Sequence, residues 1–196
     1  MNYLEENCFF TELSDEVVAQ CLSFNCGDDD LDDFFSKDTS NYKREMLGKS
    51  YCLRLKNDSA VIVCAFTLSN SGLDVRHLPG SRKKKLNEVI PREKHLSSYP
   101  AALIGRLAVS ENFSGKGIGK ELMLMIQGLA VDDDNKFACR FLTVDAYNNE
   151  ATRKFYEKNG FIYLFTSEQQ EKSYIGMPDD KILRTRLMYF DLLRGF

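Results

Sequence analysis

Apolar positions along the chain change their period several times, and each change marks an element. Leu13, Val17, Val18, Cys21 and Leu22 recur at helical spacing over 12–23, and Phe24-Asn25-Cys26-Gly27 then reads as a turn. Five aspartates between Asp28 and Asp33 open a second helix, where negative charge suits the positive end of the dipole. Leu31, Phe34 and Phe35 supply its apolar face. Ser50 to Leu55 alternates, as a half-buried strand does. After a turn at Asn57-Asp58 comes AVIVCAFTL (60–68), a run apolar enough for a central strand covered on both faces.

Residues 70–100 lose this regularity and hold three of the four prolines. They read as a largely exposed insertion with a short helix near Lys83–Val89. AALIGRLAV (101–109) is the next strand, followed after a glycine-rich turn by a helix over 120–131 with Leu122, Leu124, Met125, Ile126 and Leu129 on its apolar face. Phe141 to Val144 is a buried strand. Glu150 to Lys158 is a short helix stopped by Asn159-Gly160. Residues 161–165 and 183–192 complete the pattern as a closing antiparallel hairpin. Strands interleaved with helices make an α/β fold, with a mixed sheet and helices on both faces. No linker composition divides the 196 residues, which fit one domain over 1–196 with the insertion at about 70–100.

Composition narrows the class. Hydrophobic residues are 43% and charged residues 28%, ordinary for a soluble globular chain. No apolar run approaches the roughly 20 residues that span a bilayer. The acidic start Met1-Asn2-Tyr3-Leu4-Glu5-Glu6 lacks a secretory layout, so a cytoplasmic location without membrane contact is expected. Six cysteines lie scattered with no CxxC pair, Cys52 and Cys64 inside apolar runs, so reduced thiols and no metal site are expected. The net charge is −3, yet residues 76–94 carry seven basic side chains (Arg76, Arg82, Lys83, Lys84, Lys85, Arg92, Lys94) against Glu88 and Glu93.

The candidate chemistry sits in Ser114-Gly115-Lys116-Gly117-Ile118-Gly119-Lys120, between a strand and a helix. The first turn of a helix leaves its N–H groups without internal partners, and glycine lets an anion approach the backbone. A pyrophosphate fits such a cradle, with Lys116 and Lys120 at its rim; a plain structural turn is the competing reading. The spacing excludes a Walker P-loop, and the position past mid-chain disfavours a dinucleotide fingerprint.

Joined to Asn149 and Phe155-Tyr156-Glu157-Lys158-Asn159-Gly160-Phe161, this turn resembles the GNAT superfamily of N-acetyltransferases over roughly residues 101–165. Gly117 and Gly119 match the family's two glycines, while Ser114 stands where Arg or Gln is usual. The resemblance implies a mostly antiparallel central sheet with two splayed parallel strands, and acetyl-CoA as co-substrate with no metal. It implies backbone bonds from Leu107, Ala108 and Val109 to the pantetheine arm, pyrophosphate contacts along 114–120, and Asn149 close to the cofactor. It makes Tyr156 the general acid for the departing sulfur as a primary amine attacks directly. Asp145 is eligible as a base by position. The opening Phe24-Asn25-Cys26-Gly27 with Leu31-Asp32-Asp33-Phe34-Phe35, and Gly105 to Val109, is similar to a bacterial subgroup that includes tRNA-acetylating toxins checked by a small antitoxin. That makes tRNA, through the basic segment 76–94, a candidate partner beside a small antitoxin or a second copy of the chain. Protein amines and small amines stay open as acceptors. A non-catalytic CoA-binding module that regulates a partner is the alternative from another class.

Overall fold

Phe66, Cys64 and Val63 have no solvent-accessible surface, and that is the fate of a strand whose residues are apolar on both faces. The computed structural model describes residues 2–76, 78, 80–87 and 96–193. In chain order its elements are α1 (Tyr3–Asn7), β1 (Cys8–Glu12), α2 (Asp15–Gln20), α3 (Asp29–Asp33), a π-helical turn (Phe34–Asp38), α4 (Thr39–Arg44), β2 (Lys49–Leu55), β3 (Ile62–Asp74) and α5 (Gly80–Asn87). Then come β4 (Ser98–Val109), a 3-10 turn (Glu111–Phe113), α6 (Ile118–Val131), β5 (Phe141–Tyr147), α7 (Glu150–Lys158), β6 (Ile162–Tyr163), α8 (Glu168–Ile175) and β7 (Thr185–Asp191). The seven strands hydrogen-bond in the order β1-β2-β3-β4-β5-β7-β6.

Two compact units form, Met1–Asn70 with Leu103–Asp132, and Ser71–Ala102 with Asp133–Phe196. In the first, β1, β2 and β3 pair antiparallel, Cys8 opposite Leu55 and Tyr51 opposite Phe66. Its core joins Leu13, Phe34, Phe35, Cys52, Ile62, Ala65 and Ala108. Asp28 caps α3 by accepting from the N–H groups of Asp30 and Leu31, so the aspartate run starts a helix as its charge requires. Burial pushes the Cys52 thiol up to about 12, as expected of a core residue.

In the second unit β5 pairs antiparallel with β7 along its whole length, and β6 with β7 at Ile162–Tyr189. The Arg140 N–H donates to the Pro100 carbonyl and the Thr143 hydroxyl to that of Ala102. The two numbers rise together, so β4 and β5 run parallel. A buried pair locks α8 to β7: Arg186 Nε donates to Glu171 at 2.6 Å, and the Leu187 N–H donates to the same carboxylate.

Several elements differ from the sequence reading. The helix over 12–23 shortens to α2, because Ser14 caps it and Cys21 is already extended. Leu124 is 53% exposed, since 100° per residue turns it to the far side of α6 from buried Leu122. Regular structure also enters both ends of the segment at 70–100: β3 runs to Asp74, β4 begins at Ser98, and Leu73, Val75, Leu78 and Tyr99 join the core of the second unit. Gly72 permits this, because a Cβ there would stand 2.6 Å from Ser98 Oγ. The helix placed near Lys83–Val89 is α5, and Val89 lies outside the described residues. The closing strands are not joined directly, for α8 lies between them. No helix among the described residues is long and apolar enough to cross a membrane.

Candidate active site

The cradle belongs to the first unit and is built by three features in sequence. β4 delivers the chain with Ala108 buried in the core and Leu107 and Val109 partly exposed. The Ser110 N–H still donates to the Val63 carbonyl, which fixes the strand's end on β3. Gly115 (φ +72°) and Gly117 (φ +84°) then reverse the chain, and Gly117 in the left-handed region caps α6. Ile118, 2% exposed, anchors the helix start in the core.

What this leaves is a row of donors. The Ser114 N–H donates to the Glu111 carbonyl, and those of Lys120 and Glu121 to the Gly117 carbonyl. Between them, the N–H groups of Gly115, Lys116, Gly117, Ile118 and Gly119 meet no acceptor among the described residues. A Cβ at Gly115 or Gly117 would find nothing within 4 Å, so the space beside both glycines is open. Free N–H groups at the positive end of a helix of 14 residues suit an anion. Lys116 bends back, its Nζ donating to the Asn112 carbonyl at 2.7 Å and lying 5.5 Å from the Phe113 ring centre. Lys120 and Ser114 are both exposed.

The second unit carries Asn149, Tyr156 and Asp145. Asn149 caps α7, its Oδ1 accepting from the Thr152 N–H at 2.8 Å, so this oxygen is committed to the helix. Replacing Asn149 with alanine should therefore cost about 1 kcal/mol of stability while serine restores it, measured by urea denaturation. Tyr156 is 8% exposed between the Phe155 and Phe161 rings, and burial pushes its phenol up to about 12. Its hydroxyl makes no hydrogen bond among the described residues. Asp145 keeps part of its surface exposed on β5, yet burial of the rest raises its carboxyl.

Asn148 is a fastener that sequence reasoning left unassigned. Its amide donates to Glu168 and to the Leu183 carbonyl, each at 2.9 Å, and its Oδ1 accepts from Arg153 at 3.0 Å. The start of α7 is thereby tied to α8 and to the approach to β7. In the basic segment, Arg76 is neutralised by Asp74 at 2.7 Å, while Lys84 on α5 is exposed. Arg92 and Lys94 lie outside the described residues. Among the described residues no group of three His, Cys, Asp or Glu side chains is arranged to hold a metal ion.

Residues 87–163 match the family model of the acetyltransferase (GNAT) domain. The tRNA(Met) cytidine acetyltransferase TmcA of Haemophilus influenzae is 27% identical over 141 residues, 68% of this chain. The chain spans only 19% of the length of that curated relative. AtaT in complex with acetyl-methionyl-tRNAfMet shares the fold at a TM-score of 0.63, with 22% identity over 94% of each chain. A mutant AtaT toxin bound to the C-terminus of the antitoxin AtaR and acetyl-CoA superposes at a TM-score of 0.59, with 18% identity over 96% of this chain and 95% of that one.

Proposed function

We propose that this chain is an acetyl-CoA-dependent N-acetyltransferase of the GNAT family, whose domain model its residues 87–163 match, and that it acetylates the α-amine of an aminoacyl-tRNA. The observation that carries the cofactor half is the row of unpaired N–H groups from Gly115 to Gly119. Their backbone charge suits the pyrophosphate of CoA, and an arm leaving that cradle has the strand end Leu107 to Val109 to follow. The acceptor half is supported by AtaT, which shares the fold over nearly the whole chain and was solved with an acetylated aminoacyl-tRNA.

The reaction balances simply. The amine nitrogen attacks the thioester carbonyl carbon, an amide C–N bond forms, and the C–S bond breaks with its electron pair on sulfur. The proton lost by the amine and the one gained by the thiol are the same in number. An α-amine with a pKa of about 7.7–8.0 is already partly neutral at physiological pH, so little is asked of a general base. Tyr156 is placed by its sequence position as the donor to the departing sulfur, and burial keeps its phenol protonated. A small antitoxin and contact of Lys83 and Lys84 with the RNA backbone belong to the same reading, supported by the partners with which AtaT was solved.

The test is direct. Purified protein is incubated with labelled acetyl-CoA and charged or deacylated tRNA, and label is expected on the charged tRNA alone. Transfer to lysine peptides or polyamines with none to charged tRNA would overturn the acceptor. Tight acetyl-CoA binding without transfer to any amine would point instead to a regulatory module.

A further inference from the structure

Arg106 holds its charge in an unusual setting. Its guanidinium carbon lies 3.7 Å from the Phe34 ring centre and 5.7 Å from that of Tyr42. Every other partly buried arginine among the described residues has a polar partner. Arg54 donates to the Ser59 carbonyl, Arg140 to Asp191, Arg153 to Asn148 and Arg186 to Glu171. Arg106 has none: its forked N–H groups are offered to nothing in the described protein. Stacking fixes the plane of the fork while leaving its edges free, which is the arrangement that suits a bidentate oxyanion.

The backbone is held as firmly as the side chain. The Arg106 N–H donates to Thr67 Oγ1 at 2.9 Å. Gly105 allows that approach, because a Cβ there would stand 2.9 Å from the same oxygen. Tyr42 is anchored in turn by a 3.1 Å hydrogen bond between its hydroxyl and that of Ser69. Arg106 is thus a preorganised cation on the strand that leads to the cradle.

Its position along β4 decides which anion it meets. An arm that begins at Gly115–Gly119 and runs back along Val109, Ala108 and Leu107 brings its thioester end toward residue 106. At about 3.3 Å per residue, Arg106 lies roughly 10 Å upstream of the strand's end, away from the pyrophosphate. The charge at that end therefore faces the acceptor. In an aminoacyl-tRNA the amino acid's carboxyl is esterified and neutral, so the nearest anion to the amine is the phosphodiester 5′ of the terminal nucleoside. We infer that Arg106, stacked on Phe34 and Tyr42, grips this phosphodiester and so selects a nucleic-acid-borne amine over a free one. The inference rests on the aminoacyl-tRNA reading above.

The experiment compares two acceptors with the same amine and ester, charged tRNA and the corresponding aminoacyl-adenosine, which has no phosphate. With Arg106→Gln, kcat/KM on charged tRNA should fall roughly 10- to 100-fold, chiefly through KM, the range for a charge-assisted hydrogen bond. The loss on aminoacyl-adenosine should be at least tenfold smaller. The slope of log kcat/KM against log salt should flatten by about 0.7–0.9, as for one lost phosphate contact. Arg106→Lys, which keeps a cation over the ring without the fork, should recover part of the KM and most of the slope. Thermal melting monitors the fold, and calorimetry with acetyl-CoA monitors the cofactor. Equal losses on both acceptors, or a weakened acetyl-CoA affinity, would overturn the assignment of Arg106 alone. Wild-type protein that uses aminoacyl-adenosine as well as charged tRNA would overturn the phosphate contact but leave the amine acceptor standing. Wild-type protein that acetylates neither would overturn both.

Discussion

Replacing Gly117 with aspartate should weaken acetyl-CoA binding about a thousandfold, to loss at ordinary concentrations, in a chain that remains folded. Two costs separate here. Gly117 sits at φ +84°, where a residue with a Cβ is strained by roughly 1–2 kcal/mol. Aspartate and asparagine bear that conformation better than most, and the added Cβ meets nothing within 4 Å. The fold therefore loses little. The carboxylate, however, enters the space in front of the five N–H groups to which the proposed function assigns the pyrophosphate. Unit charges about 4 Å apart at an effective dielectric near 20 repel by about 4 kcal/mol, close to a thousandfold in Kd. Gly117→Asn is the matched control, carrying the same backbone strain without the charge. Calorimetric titration at low and high salt should show the gap between the two variants shrinking with ionic strength, since the cradle is exposed and its field is screened. An aspartate variant that binds as well as the asparagine one would remove the cradle from the cofactor site.

The cradle was legible in the sequence because its cause is local. Two glycines at positive φ and a helix start are set by neighbours in the chain, and Ser114-Gly115-Lys116-Gly117 announces them. The buried strand β3 was legible too, because a continuous apolar run leaves no solvated face to choose. What escaped notice lacked such a signal. The one buried residue of α8 is Glu171, so the helix shows no apolar stripe, and only Ser167 at its cap and Gly176 at its stop mark it. β1 is five residues at the end of the strand order, too short for alternation to declare itself. The roles of Asn148 and Arg106 are set by partners distant in sequence: Glu168 and Leu183 for one, Phe34, Tyr42 and Thr67 for the other. No spacing rule reaches that far. The two ends of the segment at 70–100 carry more regular structure than their sequence displays, for a related reason. Its prolines and charges are what the sequence displays, whereas Leu73, Val75 and Tyr99 are buried by Phe141, Leu164 and Tyr189 from the far end of the chain.

Tyr156→Phe should lower kcat about a hundredfold while acetyl-CoA affinity and thermal stability stay near wild type. The hydroxyl makes no hydrogen bond among the described residues, and the ring's packing against Phe155 and Phe161 is kept by phenylalanine. General acid help spans about 10²- to 10⁴-fold, and the chemistry argues for the low end. A phenol held at about 12 is a weaker acid than a thiol near 8.5, so handing its proton outright to sulfur runs uphill. On the proposed reading, Tyr156 would instead donate a hydrogen bond to the charge growing on sulfur, with the thiol taking its proton from the ammonium or from water. The same burial fixes the sign of the pH dependence. A donor must be protonated to work, so raising its pKa moves the alkaline loss of activity upward, from about 10 for an ordinary tyrosine toward about 12. With a high concentration of a base-stable acceptor such as methionine amide, turned over slowly because it lacks the phosphodiester, wild-type kcat/KM should climb as the amine loses its proton near 7.7–8.0 and hold level at pH 10. An alkaline limb centred near 10 would mean that Tyr156 is ordinary and exposed in the working enzyme. Undiminished kcat in the phenylalanine variant would end its role as donor and leave it a packing residue of α7.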